Sequence, residues 1–504
     1  MHEGEIRLKD DQPVSAALGQ VDRLILRGIA WLGVAVGGGQ VVSFLSMLAL
    51  ARLLEPKQFG LVAIAAAVLG VVREMQDSGM MNALVYRRDD IERAAGSVLV
   101  FAPISGLVLY CAGFLAAPAI SRVLGDAGAT NVIRVLLLLL LIGSAGTAPW
   151  AILERSMHYQ ARAKIDLASA VVQAAVAVGL AVGGAGVWSL VAGQLSGAAV
   201  AVAIAWTMLP WRPSPRQADR TILRQLLRYG RWSGAARIVN IANASVDNIV
   251  VARLLGVTPL GFYSVAFRLA DLPVSLLGSI VGRVMFPVYS MLQDDLDSVR
   301  RAYLQNLQRI ALVLPPITIG LMIDAKPIVL ALLGAKWLPA VTPLRILGVW
   351  ALVRSFAGPS VPVFDGRGKP HLGLLFTVID AVVLITLLLV LVPRYGLYGA
   401  AAAQAIGVTA AGVPALLLAM RMVGLSVGAL ARGLGPPALS SAILAATLAA
   451  ITGFAESLAP ALALFLLVVT GLVVYLGASA IFARHIFLPM WWSMRGTRDQ
   501  ATSP

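Results

Sequence analysis

The sequence predicts an all-α polytopic membrane protein with about fourteen transmembrane helices. These helices are expected to form two parallel pseudo-symmetric six-helix lobes, followed by two C-terminal helices. Composition, the length of the apolar runs and an internal repeat predict this fold class. Hydrophobic residues make up 59% of the 504 residues and charged residues only 13%, whereas soluble domains carry about 25% charged residues. The composition places the chain far outside the soluble class.

Long apolar runs define the predicted spans. A bilayer core about 30 Å thick requires about 20 apolar residues in a helix. Backbone groups in lipid must be satisfied within the segment, so each run is expected to be helical. The runs of this length are 27–51, 59–85, 95–120, 131–153, 165–184, 187–209, 232–255, 260–290, 304–333, 338–362, 372–392, 397–420, 433–453 and 458–483.

Basic residues lie mainly in alternate loops. With a cytoplasmic N-terminus, the loops of the opposite side contain few of the 40 lysines and arginines: Arg52, Lys57, Arg122, Arg253, Lys336 and Arg394. Cytoplasmic loops of membrane proteins are enriched in these residues. Both termini are therefore expected in the cytoplasm. This rule also explains the net charge of +15 without a nucleic-acid partner.

An internal repeat relates the two halves of the chain. The residues at 51–54 recur at 252–255, and Gly60 corresponds to Gly261. A second match pairs 186–188 and Gln194 with 396–398 and Gln404. The repeated unit contains six spans, and an even number keeps both copies in the same orientation. Such parallel repeats suit alternating access, with a site near the membrane midplane between the lobes.

These patterns divide the chain into segments. We expect a cytoplasmic tail over 1–24, a first lobe over 25–210, a basic cytoplasmic linker over 211–231, a second lobe over 232–422, two further helices over 433–484 and a cytoplasmic tail over 485–504.

Charged and amide side chains lie inside the predicted spans. A charge at the bilayer centre costs about 2.5–3.5 kcal/mol on insertion scales, so these residues should line a wet cavity or pair with one another. On span 7 the helical spacing places four polar residues on one face: Ser233, Arg237, Asn240 and Asp247. Spans 8, 2 and 1 contribute Arg268 with Asp271, Arg73 with Asp77, and Gln40.

Two interpretations of these charges remain open. Arg268 with Asp271, and Arg73 with Asp77, could form ion pairs along their own helices. Alternatively, an arginine-rich cavity lies between the lobes. The planar guanidinium group binds phosphate with two hydrogen bonds and stays charged. The second interpretation therefore predicts an anionic cargo that carries phosphate.

Several kinds of chemistry have no sequence signature. The chain lacks a phosphate-binding Walker A motif and a GxSxG nucleophile motif, and its four histidines have no metal-ligand spacing. The single cysteine, Cys111, excludes an internal disulfide, and we expect its thiol to be packed and inert. No catalytic residue, metal or cofactor is predicted.

Five segments resemble one transporter family. They are 51–61 (ARLLEPKQFGL), 247–263 (DNIVVARLLGVTPLGFY), 286–290 (FPVYS), 366–370 (GRGKP) and 396–400 (GLYGA). Over about 25–422, the sequence resembles Wzx-type bacterial polysaccharide flippases of the multidrug/oligosaccharidyl-lipid/polysaccharide exporter superfamily. One departure is that predicted span 1 has Arg27 only at its cytoplasmic edge, whereas the peptidoglycan lipid flippases of this superfamily use arginines within that helix.

The resemblance implies a function and partners. The substrate would be a polyprenyl-diphosphate-linked oligosaccharide, moved across the bacterial inner membrane and driven by an ion gradient. Membrane lipids, a glycan polymerase and export machinery are the other candidate partners. The candidate substrate-binding residues are Arg237, Arg268, Arg73, Asn240 and Gln40. The candidate ion-coupling residues, which would carry a proton or balance the arginine charge, are Asp247, Asp271 and Asp77.

Two other functions compete with this one. A multidrug exporter of the same superfamily would have an acidic, aromatic-lined pocket for cations, and the excess of basic residues in the spans argues against it. A glycan polymerase or ligase would present a large extracytoplasmic loop with catalytic residues, and every predicted loop on that side is short.

Overall fold

The protein is all-helical, as its sequence predicts. The computed structural model describes residues 38–77, 84, 89–155, 159–225, 245–291, 295–484 and 486, and these contain no β-strand. The helices are α1 (Gly38–Leu53), α2 (Pro56–Asp77), α3 (Ile91–Val123), α4 (Ala129–Leu136), α5 (Leu138–Arg155), α6 (Tyr159–Val182), α7 (Val187–Thr207), α8 (245–255), α9 (Val257–Met291), α10 (Leu296–Ile323), α11 (Ala325–Leu332), α12 (Val341–Ala357), α13 (Ser360–Gly366), α14 (Pro370–Met422), α15 (Val427–Ala455) and α16 (Pro460–Phe482).

Ten helical segments of the described chain are long and apolar enough to cross a membrane. They confirm a polytopic membrane protein, while the count of fourteen spans and the segment boundaries stay predictions. One detail of the sequence analysis is wrong. Cys111 is exposed on α3, because no other helix of the described residues covers its side of that apolar helix.

Helix α14 is two antiparallel helices joined by a sharp bend. A straight helix of its 53 residues would be about 80 Å long, far more than a bilayer needs. The bend lies at Gly396, whose φ of 57° and ψ of −133° are not helical. Gly399 lies against the Leu391 carbonyl, and a Cβ at Gly407 would lie 3.4 Å from the Leu384 Cβ. The two arms therefore run side by side.

The same bend occurs at the corresponding position of the first repeat. Gly186, between α6 and α7, has a φ of 58° and a ψ of −130°. A Cβ at Gly193 would lie 2.9 Å from the Gln173 carbonyl oxygen, and a Cβ at Gly197 would lie 3.1 Å from that of Ser169. Glycine adopts this backbone conformation without a steric cost. Both repeats thus use one glycine to fold a helical hairpin.

The two repeats meet through a reciprocal contact between backbones. Gly60 on α2 lies against the Val257 carbonyl at the start of α9, and Gly261 on α9 lies against the Pro56 carbonyl at the start of α2. Residues 56 and 60 correspond to 257 and 261 in the repeat. A pair of contacts in which each side presents the same patch is the signature of two-fold symmetry. The division of the whole chain into two six-helix lobes stays a prediction.

Loops that were predicted on the same side of the membrane contact one another. On the predicted outer side, Lys57 Nζ lies 3.7 Å from an Asp126 carboxylate oxygen. On the predicted cytoplasmic side, the linker residue Gln217 donates a hydrogen bond of 3.0 Å to Glu92 at the start of α3. These contacts agree with the predicted alternation of loops.

Asp219 fixes the linker to the start of α3, its predicted cytoplasmic end. Its backbone N–H donates to Ser97 Oγ over 2.9 Å. Its carboxylate accepts hydrogen bonds of 2.7 Å and 3.3 Å from the N–H groups of Thr221 and Ile222. These two bonds, the one from Thr221 first, lower the pKa of the Asp219 carboxyl.

Candidate functional site

A cavity of about 930 Å³ lies where the two repeats meet. Helices α1, α2, α6 and α7 of the first repeat and α8 and α9 of the second repeat line it. Its polar lining comprises Gln40, Ser43, Ser46, Arg73, Ser169, Gln173, Gln194, Ser245, Asn248, Ser264, Arg268, Asp271 and Ser275. An interior of this polarity within a bundle of apolar helices can hold a solvated, hydrophilic group.

Two predicted arginines face this cavity from opposite repeats. Arg73 lies on α2 and Arg268 on α9, and both are exposed to the cavity. Neither makes a salt bridge with a carboxylate of the described residues. Asp271 lies one turn from Arg268 and lines the same cavity. The two guanidinium groups therefore keep hydrogen-bond donors for an anion.

Four of the eight predicted site residues line the cavity together: Gln40, Arg73, Arg268 and Asp271. Arg237 and Asn240 lie outside the described residues, as does the side chain of Asp77. The interpretation of Arg73 and Asp77 as an ion pair is therefore not tested. Asn248, which the sequence analysis did not select, lines the cavity instead of its neighbour Asp247.

Asp247 is buried in a hydrogen-bonded cluster beside the cavity. Its side chain joins α8 to α9 and to the second arm of α14. Tyr263 Oη donates to Asp247 Oδ2 over 2.7 Å, and Gln404 Nε2 donates to the same oxygen over 2.8 Å. The N–H of Asn248 donates to Oδ1 over 2.7 Å. All three donors are neutral, so the Asp247 carboxylate is hydrogen-bonded but contacts no cation in the described part of the chain.

Trp337 packs at the joint between the two repeats, next to residues that line the cavity on its predicted outer side. This side chain is fully buried, and its Nε1 donates to the Ala51 carbonyl over 2.8 Å. Its ring packs edge-on against Phe59 of α2 and Phe262 of α9, with centroids 5.2 Å and 5.9 Å away. Phe59 also lines the cavity. The indole therefore fills the joint between the repeats above the cavity.

Two basic residues add further contacts between the repeats at this joint. Arg52 Nε donates to the Leu332 carbonyl over 3.0 Å, and its Nη2 donates to the Ala331 carbonyl. Lys336 Nζ donates to the Arg52 carbonyl over 2.9 Å and lies 3.9 Å from Glu55. We call Arg52, Lys336 and Trp337 the outer gate. The sequence analysis used Arg52 and Lys336 only to assign topology and gave Trp337 no role.

Comparisons with known proteins show similarity to proteins of polysaccharide biosynthesis. The model of a family described as polysaccharide biosynthesis protein matches residues 49–342, more than half of the chain. The succinoglycan biosynthesis transport protein ExoT of Rhizobium meliloti is 27% identical over 350 residues, which are 69% of this chain and 70% of that protein. The lipopolysaccharide biosynthesis protein WzxC of Escherichia coli is 25% identical over 393 residues, which are 76% and 77% of the two chains.

Solved structures show the same fold. The lipid II flippase MurJ in an inward closed conformation superposes with a TM-score of 0.73 at 16% identity, covering 90% of this chain and 99% of that chain. An inward-facing multidrug resistance transporter of the MATE family superposes with a TM-score of 0.53 at 21% identity, covering 80% and 95%. At these identities the likeness concerns the fold alone.

Proposed function

The chain belongs to the polysaccharide biosynthesis protein family, and we propose that it moves a polyprenyl-diphosphate-linked oligosaccharide across the bacterial inner membrane by alternating access. The substrate enters from the cytoplasmic leaflet and leaves in the outer leaflet, in the synthesis of an exopolysaccharide, a capsule or an O-antigen. Both termini are cytoplasmic in this proposal.

One observation carries the proposal. The cavity between the repeats contains Arg73 and Arg268, which make no salt bridge with a described carboxylate. An arginine within a membrane span is costly unless it is solvated or bound to a partner. A diphosphate is a suitable partner because each guanidinium group can donate two parallel hydrogen bonds to phosphate oxygens. We propose that Arg237 and Asn240 also bind the diphosphate.

The arrangement of the outer gate supports alternating access. We infer that the gate closes the outer end of the cavity, because its hydrogen bonds join the first repeat to the second. A rocking motion of the repeats would break these bonds and expose the cavity to the other side. The substrate would then be released without crossing the apolar core of the bilayer.

The carboxylates divide into two proposed roles. Asp271 lines the cavity beside Arg268 and balances its charge when no substrate is bound. Asp247 is buried with neutral hydrogen-bond donors, and we assign it the coupling proton. Asp77 is a further candidate for coupling. The variant Asp247→Asn should keep substrate binding and lose transport driven by an imposed pH gradient, and retained gradient-driven transport would refute this role.

Reconstituted transport tests the proposed function. Purified protein in liposomes should move an undecaprenyl-diphosphate-linked oligosaccharide between leaflets, and Arg73→Ala and Arg268→Ala should each slow transport at least tenfold. Arg134→Ala is a matched control, because Arg134 lies over the Phe114 ring at 4.3 Å and does not line the cavity. Full activity of both cavity variants, with wild-type protein levels, would contradict the proposal.

The multidrug exporter remains the second candidate. Its favouring observation is the shared fold with a multidrug transporter, but the exposed arginines of the cavity would repel cationic drugs. Drug susceptibility of a deletion strain distinguishes the two: unchanged susceptibility together with lost surface glycan supports the flippase. The relative ExoT is named a transport protein, which also argues against a glycan polymerase or ligase.

A further inference from the structure

One wall of the cavity is rich in amides and lacks charge. Gln40 on α1, Gln173 on α6 and Gln194 on α7 all line the cavity, and we call these three residues the amide wall. None of them makes a side-chain hydrogen bond within the described part of the chain. Each amide has two N–H donors and a carbonyl oxygen that accepts. The wall therefore presents unused donors and acceptors side by side.

The three helices of the amide wall are direct neighbours. A Cβ at Gly39 of α1 would lie 3.6 Å from the Asp166 carbonyl oxygen of α6. A Cβ at Gly197 of α7 would lie 2.9 Å from the Cβ of Gln173. Small residues flank the amides on the same lining: Ala170, Ala174, Gly197, Ala198 and Ala201. The amides thus stand on a wall of small side chains with room for a bulky group.

Measured along their own helices, the amides of α6 and α7 lie closer to the predicted outer ends than the arginines do, while Gln40 of α1 lies at a depth between Arg268 and Arg73. At 1.5 Å per residue, Gln194 lies ~10 Å and Gln173 ~14 Å from the outer ends of their helices. Arg268 lies ~16 Å and Arg73 ~26 Å from the outer ends of theirs. A molecule held at the arginines by its charged end would place its neutral end beside these amides.

The repeat shows that Gln173 is not required by the hairpin. At the offset that relates Gln194 to Gln404, Gln173 corresponds to Val383, and the second hairpin folds with the same bend at its glycine. Gln404 is used inside the second repeat, where it donates to Asp247. Gln194 has no such acid to bond, because residue 46, which corresponds to 247, is a serine that lines the cavity.

We propose that the amide wall is a subsite for the sugars of the cargo, separate from the arginines that hold its diphosphate. Sugar hydroxyls both donate and accept hydrogen bonds, and amide side chains complement them without the desolvation cost of a charge. The assignment rests on the proposed function, because it takes the arginines as the site of the phosphates. It makes Gln173 and Gln194 residues that determine glycan selectivity.

Binding to three probes tests the subsite. The probes are undecaprenyl diphosphate, the same lipid carrying an oligosaccharide of neutral hexoses, and that oligosaccharide free in solution. Wild-type protein in nanodiscs should bind the glycosylated lipid more tightly than the bare lipid. Gln173→Leu and Gln194→Leu should each weaken binding of the glycosylated lipid about tenfold, the effect of one or two lost hydrogen bonds, and leave binding of the bare lipid within about twofold.

The controls separate the subsite from the proposed function. Gln308→Leu removes an intramembrane amide that bonds the Gly433 carbonyl away from the cavity and should change neither affinity. Arg268→Ala should weaken both lipids. Equal wild-type affinity for the two lipids, or equal loss for both in the glutamine variants, overturns the subsite. If neither lipid binds but the free oligosaccharide still binds through Gln173, the proposed binding of the diphosphate by the arginines is wrong and the sugar subsite stands.

Discussion

Weakening the outer gate should shift the protein towards an outward-open form. In the variant Arg52→Ala, the hydrogen bonds from the guanidinium group to the Leu332 and Ala331 carbonyls are lost. Such bonds from a charged donor contribute about 1.5–3 kcal/mol when buried, and we take about 1 kcal/mol each because Arg52 is exposed. A total of about 2 kcal/mol changes the ratio of the two forms about 30-fold.

Labelling of a cysteine within the cavity measures this shift. Ser46 lines the cavity, and Ser46→Cys would report on access once the exposed native thiol is removed by Cys111→Ala. A membrane-impermeant maleimide added to intact cells reaches the cavity only through the outer side. If the outward-open form is rare in the parent protein, Arg52→Ala should accelerate labelling by up to about 30-fold.

A matched arginine provides the control for this experiment. Arg122 is also an exposed arginine of the outer side, and its Nε donates to a carbonyl, that of Pro118, over 3.1 Å. This bond lies within one helix and does not join the repeats. Arg122→Ala should leave labelling unchanged. No acceleration in Arg52→Ala, or an equal acceleration in both variants, would refute a gate held by bonds between the repeats.

Three further predictions concern the backbone joints and the linker. Gly60→Ala should destabilise the protein by about 1–3 kcal/mol, because the added methyl group meets the Val257 carbonyl. Thermal unfolding in detergent measures this loss. The control Gly143→Ala should be neutral, because its added methyl group meets nothing within 4 Å. Gly396→Ala should also cost about 1–3 kcal/mol, because alanine is strained at its φ of 57°; an unchanged melting temperature would contradict this reasoning. Asp219→Ala should speed tryptic cleavage of the linker at neutral pH, and cleavage at the wild-type rate would show that its hydrogen bonds do not hold the linker.

The pH dependence of the linker follows from the same carboxylate. Because hydrogen bonds to the ionised form lower the pKa of Asp219 below its ordinary value of 3.8, the folded linker is stabilised above that pH. This contribution is lost as the pH falls through the lowered pKa. Hydrogen exchange of the linker, compared between the wild type and Asp219→Ala, should differ at neutral pH and converge in strong acid.

Apolar runs and glycines predicted much of the helical framework. The break between the predicted spans 372–392 and 397–420 occurs at Gly396, because no other residue adopts its backbone angles cheaply. Polar residues at helical spacing within the spans also predicted four residues that line one cavity: Gln40, Arg73, Arg268 and Asp271. These features depend on the geometry within single helices, which the spacing of residues in the sequence predicts.

Contacts between distant segments could not be predicted in the same way. Spacing grouped Asp247 with the other polar residues of its span, but its partner Gln404 is 157 residues away, and no period within one helix reports that pairing. Trp337 lies between the predicted spans 304–333 and 338–362 and was given no role, although its indole N–H joins the repeats. Both contacts depend on how the two lobes pack against each other. That packing is determined by the contacting surfaces of several helices, which the residue spacing within one helix does not predict.

The reciprocal contact of Gly60 with Val257 and of Gly261 with Pro56 has a mechanical consequence. Because the same pseudo-dyad relates the two glycines, the two contacts are equivalent, and we expect them to part together. The contact is also between backbones, so no long side chain at these glycines can span a partly opened gap. Separation at this joint should be all-or-none, so that a half-open state, through which ions could leak, would have little to hold it in place.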